Sequence, residues 1–351
     1  TDLREIDPTG PAAGPERVSR GGSWAAGPAY CRSARRSWGD PSFALADHGF
    51  RVVVEAIPVV APVAVQPAIA ALPKELALDL GGGVKMDMLL VPAGEFVMGS
   101  NDGPPEEKPV HNVKVSKPFY IGKYHVTVAQ FRAFADGTKY RTEAEKCGKG
   151  QTWKDGGWKE VAGVNWQTPG FPQEDNFPAC VITWNDAQEF CKWATERTAG
   201  VSPALEKAGG TPAVRKWTVC LPTEAQWEYA CRAGTTTRYN SGDKDSDLEQ
   251  EGWFNNNSGR HTNACGLKKP NAWGLYDMHG NVWQWVQDFF NDKYYTESPL
   301  LDPKGPANGA ERVLRGGAWD DRPDNCRASR RHRDIPGGRY TSRGFRLALD
   351  F

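Results

Sequence analysis

Long apolar runs are almost absent from this chain. The one uncharged stretch of membrane length, 56–73, carries Pro58, Pro62, Pro67 and Pro73. Each proline removes a backbone donor and interrupts a helix, so a span is not expected there. A semi-rigid Pro/Ala/Val linker over 56–82 is the better reading. A charge excess of one sign is also absent. Forty-three Lys and Arg balance 43 Asp and Glu, so no global field draws the chain to nucleic acid or anionic lipid. No two of the eight cysteines stand in CxxC spacing, which removes zinc-ribbon and thioredoxin-type chemistry. Cys191, Cys220 and Cys231 sit among apolar residues and are expected to be packed thiols. Disulfide pairing and compartment stay open. The opening TDLREIDPTG is polar and is not expected to be a secretory leader.

What the chain does have is aromatic mass, turns and a repeat. Fourteen Trp, 14 Phe and 10 Tyr can fill a core, while 38 Gly and 26 Pro imply many turns and few long helices. Residues 7–51 recur at 302–346 without a gap, each displaced by 295, and 22 of the 45 positions are identical. The identities form a frame: Asp302, Pro303, Glu311–Val313, Gly316, Gly317, Trp319, Cys326, Arg327 and Gly344–Arg346 all match upstream residues. The mismatches gather between these anchors. The chain therefore divides into a partial copy (1–55), the linker (56–82) and a module (83–351) whose last segment, 312–346, is the second copy. That segment holds ten Arg against four Asp, either a solvated surface or a recognition surface of planar, stacking donors.

Periodicity gives an α+β, loop-rich module. MDMLLVPAGEFVMGS (86–100) reads as a hairpin and HNVKVSKPFYIGKYHVT (111–127) as further short strands. Helices are expected after Thr127 to Gly137, from Trp184 with Ala187, Phe190, Cys191 and Ala194 on one face, and after the N-cap Thr223. Thr223 and Glu224 read as helix-entry chemistry. Residues 145–182 and 236–272 read as long loops. Trp283, Trp285 and Phe289 alternate as in a buried strand.

Four motifs then stand in a fixed order: VPAGEFVMGS with EEKPVHNVKVSKPFYIGKYHVTVAQF, LPTEAQWEYACRAG (221–234), PNAWGLYDMHGNVWQWVQDFF (270–290), and RVLRGGAW…CR…GFRLAL (312–349). Together they resemble the formylglycine-generating enzyme / sulfatase-modifying-factor family over about 86–351. The resemblance implies a variant of the C-type lectin fold with few helices and short antiparallel strands. In that family a copper-binding thiol pair lies in the GGSY…C….C stretch, as soft Cu(I) demands. Here Cys326 stands at the second thiol position and Asp321 at the first, while the upstream copy has Cys31 with Ala26. The resemblance therefore implies the scaffold without the oxidase, and no catalytic residue is assigned; a copper-dependent oxidase remains the alternative, as does a regulatory or structural module. A second branch, resembling ergothioneine-type sulfoxide synthases, needs an HxxxHxE iron motif, and His48, His111, His125, His261, His279 and His332 do not supply one. No cofactor is required on this reading. A structural calcium, as in relatives, would fall on Asp277, the carbonyls of Gly280 and Val282, and Gln284, where oxygen ligands suit a hard cation.

The last segment resembles something narrower, the variable proteins of diversity-generating retroelements, which end in RVLRGGSW, a polar block, CR, more polar positions and GFRLA. By that resemblance Asp320, Asp321, Arg322, Asp324, Asn325, Arg331, His332, Arg333, Asp334, Ile335, Gly337, Arg339, Tyr340, Thr341 and Ser342 form a diversified ligand-binding surface. Such side chains are adaptable contact formers. The implied partner is a protein or other macromolecule bound by a monomer of bacterial or phage origin, and its identity does not follow from sequence. The upstream copy is too short to bury a core and is expected to be a residual or duplicated module tail.

Overall fold

The computed structural model describes residues 17–20, 31, 36–39, 72–198 and 217–350. Residues 1–66 and 67–351 form separate compact units. In the first, β1 (Arg17–Arg20) and β2 (Arg36–Gly39) pair antiparallel, with Arg17 opposite Gly39 and Arg20 opposite Arg36. The end of the upstream copy and the linker residues 56–71 lie outside the described residues.

The second unit opens with β3 (Glu75–Gly81). Leu76, Leu78 and Leu80 alternate along it, and Leu78 and Leu80 are buried. The sequence reading placed these residues in the linker; the two-residue period of ELALDLG makes them an edge strand instead. Then come β4 (Val84–Val91), β5 (Gly94–Met98), β6 (His111–Val115) and β7 (Phe119–Gly122). The expected hairpin over 86–100 does not form. β4 pairs with β3 and β7, whereas β5 pairs with β6, because Pro92 and Ala93 carry the chain from one sheet into a separate ribbon.

Helix α1 (Val128–Thr138) starts at a capping box in which Thr127 and Gln130 satisfy each other's backbone N–H. The segments expected as loops contain α2 (Glu143–Cys147), the ribbon β8 (Lys149–Lys154) and β9 (Gly157–Ala162), and later α5 (Asp245–Glu251). Between them lie α3 (Trp184–Thr198), β10 (Thr218–Cys220) and α4 (Glu224–Arg232), the last capped by Thr223 as expected. The chain ends in β11 (Trp283–Phe289), β12 (Arg312–Arg315), β13 (Arg331–Asp334), β14 (Arg343–Phe345) and β15 (Ala348–Asp350).

Two sheets organise the unit. One has the order β10-β15-β7-β4-β3, the other β13-β12-β11-β14, with β14 parallel to β11 and the remaining pairs antiparallel. Helices α1 and α3 pack on the first through Phe131, Phe134, Phe190 and Ala187, and Phe190 meets Phe345 of β14 at 5.3 Å. A second apolar cluster joins α4 to β11 and β12 through Trp227, Val286 and Val313. Among the described residues, five α-helices and short, mostly antiparallel strands give the α+β, loop-rich class. The repeat is structural as well as sequential. β12 and β13 pair with Arg312 opposite Asp334 and Arg315 opposite Arg331, which is the β1–β2 register moved by 295 residues.

Candidate functional site

The last 40 residues are held from beneath by buried ion pairs. Arg331 is 1% exposed and grips Glu224 with Nε and Nη2 at 2.7 and 2.9 Å, while its Nη1 donates to the carbonyls of Glu106 and Asn291. Arg327 makes a two-point bond to Glu107 at 2.7 and 2.8 Å. Arg315 donates to Glu228 and to the carbonyls of Ala328, Ser329 and Arg330. Planar guanidinium forks suit such two-point contacts. Arg232 and Arg315 hold the Glu228 carboxyl below its ordinary range against the opposing effect of burial. Glu224, read from sequence as helix-entry chemistry, is thus the buried anchor of this frame.

Gly316 and Gly317 turn the chain out of β12 at φ +97° and +77°. A Cβ on Gly317 would lie 2.5 Å from the Cys326 Sγ, so only glycine lets the turn close over that thiol. Trp319 is locked beyond it: its indole N–H donates to the Thr341 carbonyl at 3.1 Å, and its own carbonyl accepts from Ser258 Oγ.

The fifteen predicted surface residues separate on this frame. Arg322, Asp324, Arg333 and Ile335 are exposed, and Ile335 stands 57% open. Asp320, Asp321, Asn325, His332, Asp334, Gly337, Arg339 and Tyr340 are partly exposed. Arg331 and Thr341 are buried and do not belong to the surface, whereas Ser342, although 1% exposed, still lines a pocket with Asp320 and Asp321. Arg331 and Thr341 were misplaced because polar residue type was read as exposure, but Arg331 is an ion-pair anchor and Thr341 is fully buried.

Asp320, Asp321, Asn325, His332 and Ser342 open on one pocket of about 190 Å³, together with Trp158, Trp283, Arg330 and Arg343. Trp158 comes from the β8–β9 ribbon, whose Asp155–Gly156 turn has positive φ at both residues. A DG pair between alternating aromatics is a strong hairpin signal, and it was legible in TWKDGGW. The ribbon is fixed to the C-terminal segment by Gln151, which donates to the Arg339 carbonyl and accepts from Thr341 N–H. Trp158 thereby stands 5.1 Å from Tyr340 and 6.3 Å from Trp319.

Charge in the pocket is unevenly balanced. Burial and the neighbouring Asp321 push Asp320 up to about 7, and its Oδ1 has no hydrogen-bond partner. Asp321 is raised by burial too, although Asn325 Nδ2 and the Ala318 N–H donate to it. Burial, reinforced by Arg343, holds His332 neutral down to about 3, and its Nε2 accepts from Arg343 Nη2 at 3.0 Å. Arg343 also lies over the Tyr340 ring at 4.9 Å.

Cys326 is fully buried beside Tyr239, Leu248 and Phe254, and burial raises its thiol well above the ordinary range. Asp321, five residues earlier, carries a carboxylate already bound within its own turn. This donor set does not fit Cu(I), which takes paired thiolates. The calcium set does not fit either. Gln284 Oε1 accepts from Trp227 Nε1 at 2.8 Å and Arg346 Nε at 3.0 Å, and its Nε2 donates to the Asp277 carbonyl. Both lone pairs of that amide oxygen are used, so Gln284 has none left for an ion. Of the four expected ligands Asp277 alone has a side-chain oxygen, Oδ1, without a partner.

The sulfatase-modifying factor enzyme 1-like domain matches residues 83–351. The chain belongs to this family. It is 34% identical over 307 residues to the formylglycine-generating enzyme of Streptomyces coelicolor, covering 74% of this chain and 88% of that one. It is 29% identical over 310 residues to the inactive Cα-formylglycine-generating enzyme 2 of Bos taurus, covering 77% and 90%. Among solved structures, Treponema denticola variable protein 1 superposes with a TM-score of 0.62 at 26% identity, over 79% of this chain and 99% of that one. Proteins named as enzymes, one named as inactive, and a variable protein are thus all similar to this chain.

Proposed function

We propose that this protein is a non-catalytic ligand-binding member of the family, which displays a variable surface at the C-terminal end of its lectin-like module. The observation that carries the reading is the division of 312–346: framework arginines are buried in ion pairs, while Asp320, Asp321, Asn325 and His332 open together on a pocket walled by Trp158 and Trp283. Surface side chains on such a frame can change without a cost to folding. The lone buried Cys326 and the likeness to a protein named as variable support the same reading. The pocket's two raised carboxyls beside aromatic faces favour ligand groups that donate hydrogen bonds, such as an ammonium or guanidinium on a partner protein. No helix among the described residues is long and apolar enough to cross a membrane.

The test randomises Asp320, Asp321, Arg322, Asp324, Asn325, His332, Arg333, Ile335, Arg339 and Tyr340 together and selects the displayed library against a defined protein target. The expected result is that most clones fold with melting temperatures near the parent's and that target-specific binders emerge. Copper-dependent oxygen uptake on a cysteine-containing peptide by the parent chain, abolished by Cys326→Ser, would overturn the reading in favour of the oxidase.

A further inference from the structure

A second cluster lies apart from the pocket, where the chain between β7 and α1 meets the loops before and after Pro270. There His125, Cys265 and Asp277 bring a ring nitrogen, a thiol sulfur and a carboxylate oxygen within 4.8 Å of one another. His125 is 1% exposed and neither ring nitrogen makes a hydrogen bond. Asp277 is also 1% exposed; its Oδ2 accepts from the Gly266 N–H at 2.8 Å, while Oδ1 has no partner. Three buried polar atoms without partners at one place is unusual, since buried polar groups are ordinarily satisfied. Asp277 is held there in the left-handed region at φ +53°, a conformation that non-glycine residues adopt at a cost.

We infer that His125, Cys265 and Asp277 form a binding site for a zinc-type transition-metal ion. Imidazole nitrogen, thiolate sulfur and carboxylate oxygen are the donors zinc takes, at about 2.0–2.3 Å, which places tetrahedral ligands roughly 3.3–3.8 Å apart. Drawing the three atoms together from within 4.8 Å needs only small side-chain rotations. The set leaves a fourth position for water or another ligand. A hard ion such as calcium would not choose it.

The surroundings supply the rest of a site. Both ring nitrogens of His125 lack a hydrogen-bond partner, so either one can face the ion. Binding would expel the thiol proton of Cys265 to solvent, and thiolate plus carboxylate would cancel the dication. Arg346 then keeps its carbonyl partners at Gly122 and Tyr276. Cys265 is partly exposed as a residue, unlike His125 and Asp277 at 1% each. None of the three residues belongs to the variable surface, so the site is independent of the ligand-binding proposal.

The test strips the full chain with a chelator and titrates it with Co²⁺, whose tetrahedral thiolate complex has charge-transfer and visible bands. One equivalent should bind per chain, with bands that Zn²⁺ displaces, and Zn²⁺ should raise the melting temperature. Cys265→Ser should abolish the thiolate band and weaken binding roughly a hundredfold or more; Asp277→Asn provides a second variant should the first fold poorly. Cys147→Ser, which removes an exposed thiol elsewhere, should change neither. Absence of a thiolate band in the parent, or its survival in Cys265→Ser, overturns the inference.

Discussion

Replacing Arg331 by alanine separates surface from framework within the segment that the sequence treats as one block. The guanidinium gives two bonds to Glu224 and two to main-chain carbonyls, and Tyr295 lies 4.3 Å beneath it. Its loss leaves Glu224 buried with a longer contact to Arg315 at 3.5 Å and with Asp288 nearby, already pushed up to about 8 by burial and by Glu224 itself. Breaking a buried pair in this way costs about 3–5 kcal/mol. For a domain of this size each kcal/mol moves the melting temperature by roughly 2 °C or a little more, so a fall of about 6–10 °C is expected. Arg333, two residues on, is the control. Its side chain is 52% exposed and meets Glu311 at 3.2 Å, so Arg333→Ala should stay within about 0.5 kcal/mol of the parent. Thermal melts and urea titrations of the two variants suffice. If Arg331→Ala melted within 2 °C or so of Arg333→Ala, the division into buried frame and exchangeable surface would be wrong. A double variant, Arg331→Met with Glu224→Gln, should lose less than the two single changes combined, because no uncompensated charge remains.

Three further outcomes follow from the same geometry. Asp320 is raised to about 7 in the folded chain against about 3.9 in an unfolded one; the fold therefore holds this proton more tightly, and the stability it adds below pH 4 is lost as pH rises toward 7. Urea midpoints at pH 4.5 and 7.5 should thus differ less in the acid-to-neutral direction of loss for Asp320→Asn than for the parent. Gly317→Ala should destabilise by on the order of 2–4 kcal/mol, from its positive φ and the contact with Cys326. Gly337→Ala, whose added Cβ would meet only the flexible Glu143 carboxylate at 3.3 Å, should melt like the parent; calorimetry of the pair checks both.

Much of the scaffold was legible because its signals are local. The helix of Ala187, Phe190, Cys191 and Ala194 buries that face, and Thr127 and Thr223 cap the helices they precede. The elements missed had weaker or misleading signals: β3 follows a proline-rich stretch, and β8–β9 hides in a polar segment although Asp155–Gly156 announces its turn. The site was half legible. Residue type located Asp320, Asp321, Asn325, His332 and Ser342, but it could not place Trp158, which reaches the pocket because Gln151 joins a ribbon nearly two hundred residues upstream to Arg339 and Thr341.

By itself the sequence determined the family, the repeat and the frame, because spacing and turn chemistry act over a few residues and survive in a one-dimensional pattern. The loss of one thiol of the oxidase pair was likewise a matter of identity at one position. Tertiary structure alone decided burial. It turned Arg331 and Thr341 inward, the first because a guanidinium between two carbonyls and a carboxylate is as well satisfied as one in water. It saturated Gln284 with Trp227 and Arg346, and it drew donor atoms of His125, Cys265 and Asp277, 152 positions apart from first to last, to within 4.8 Å of one another. Long-range contacts of that kind leave no period to read.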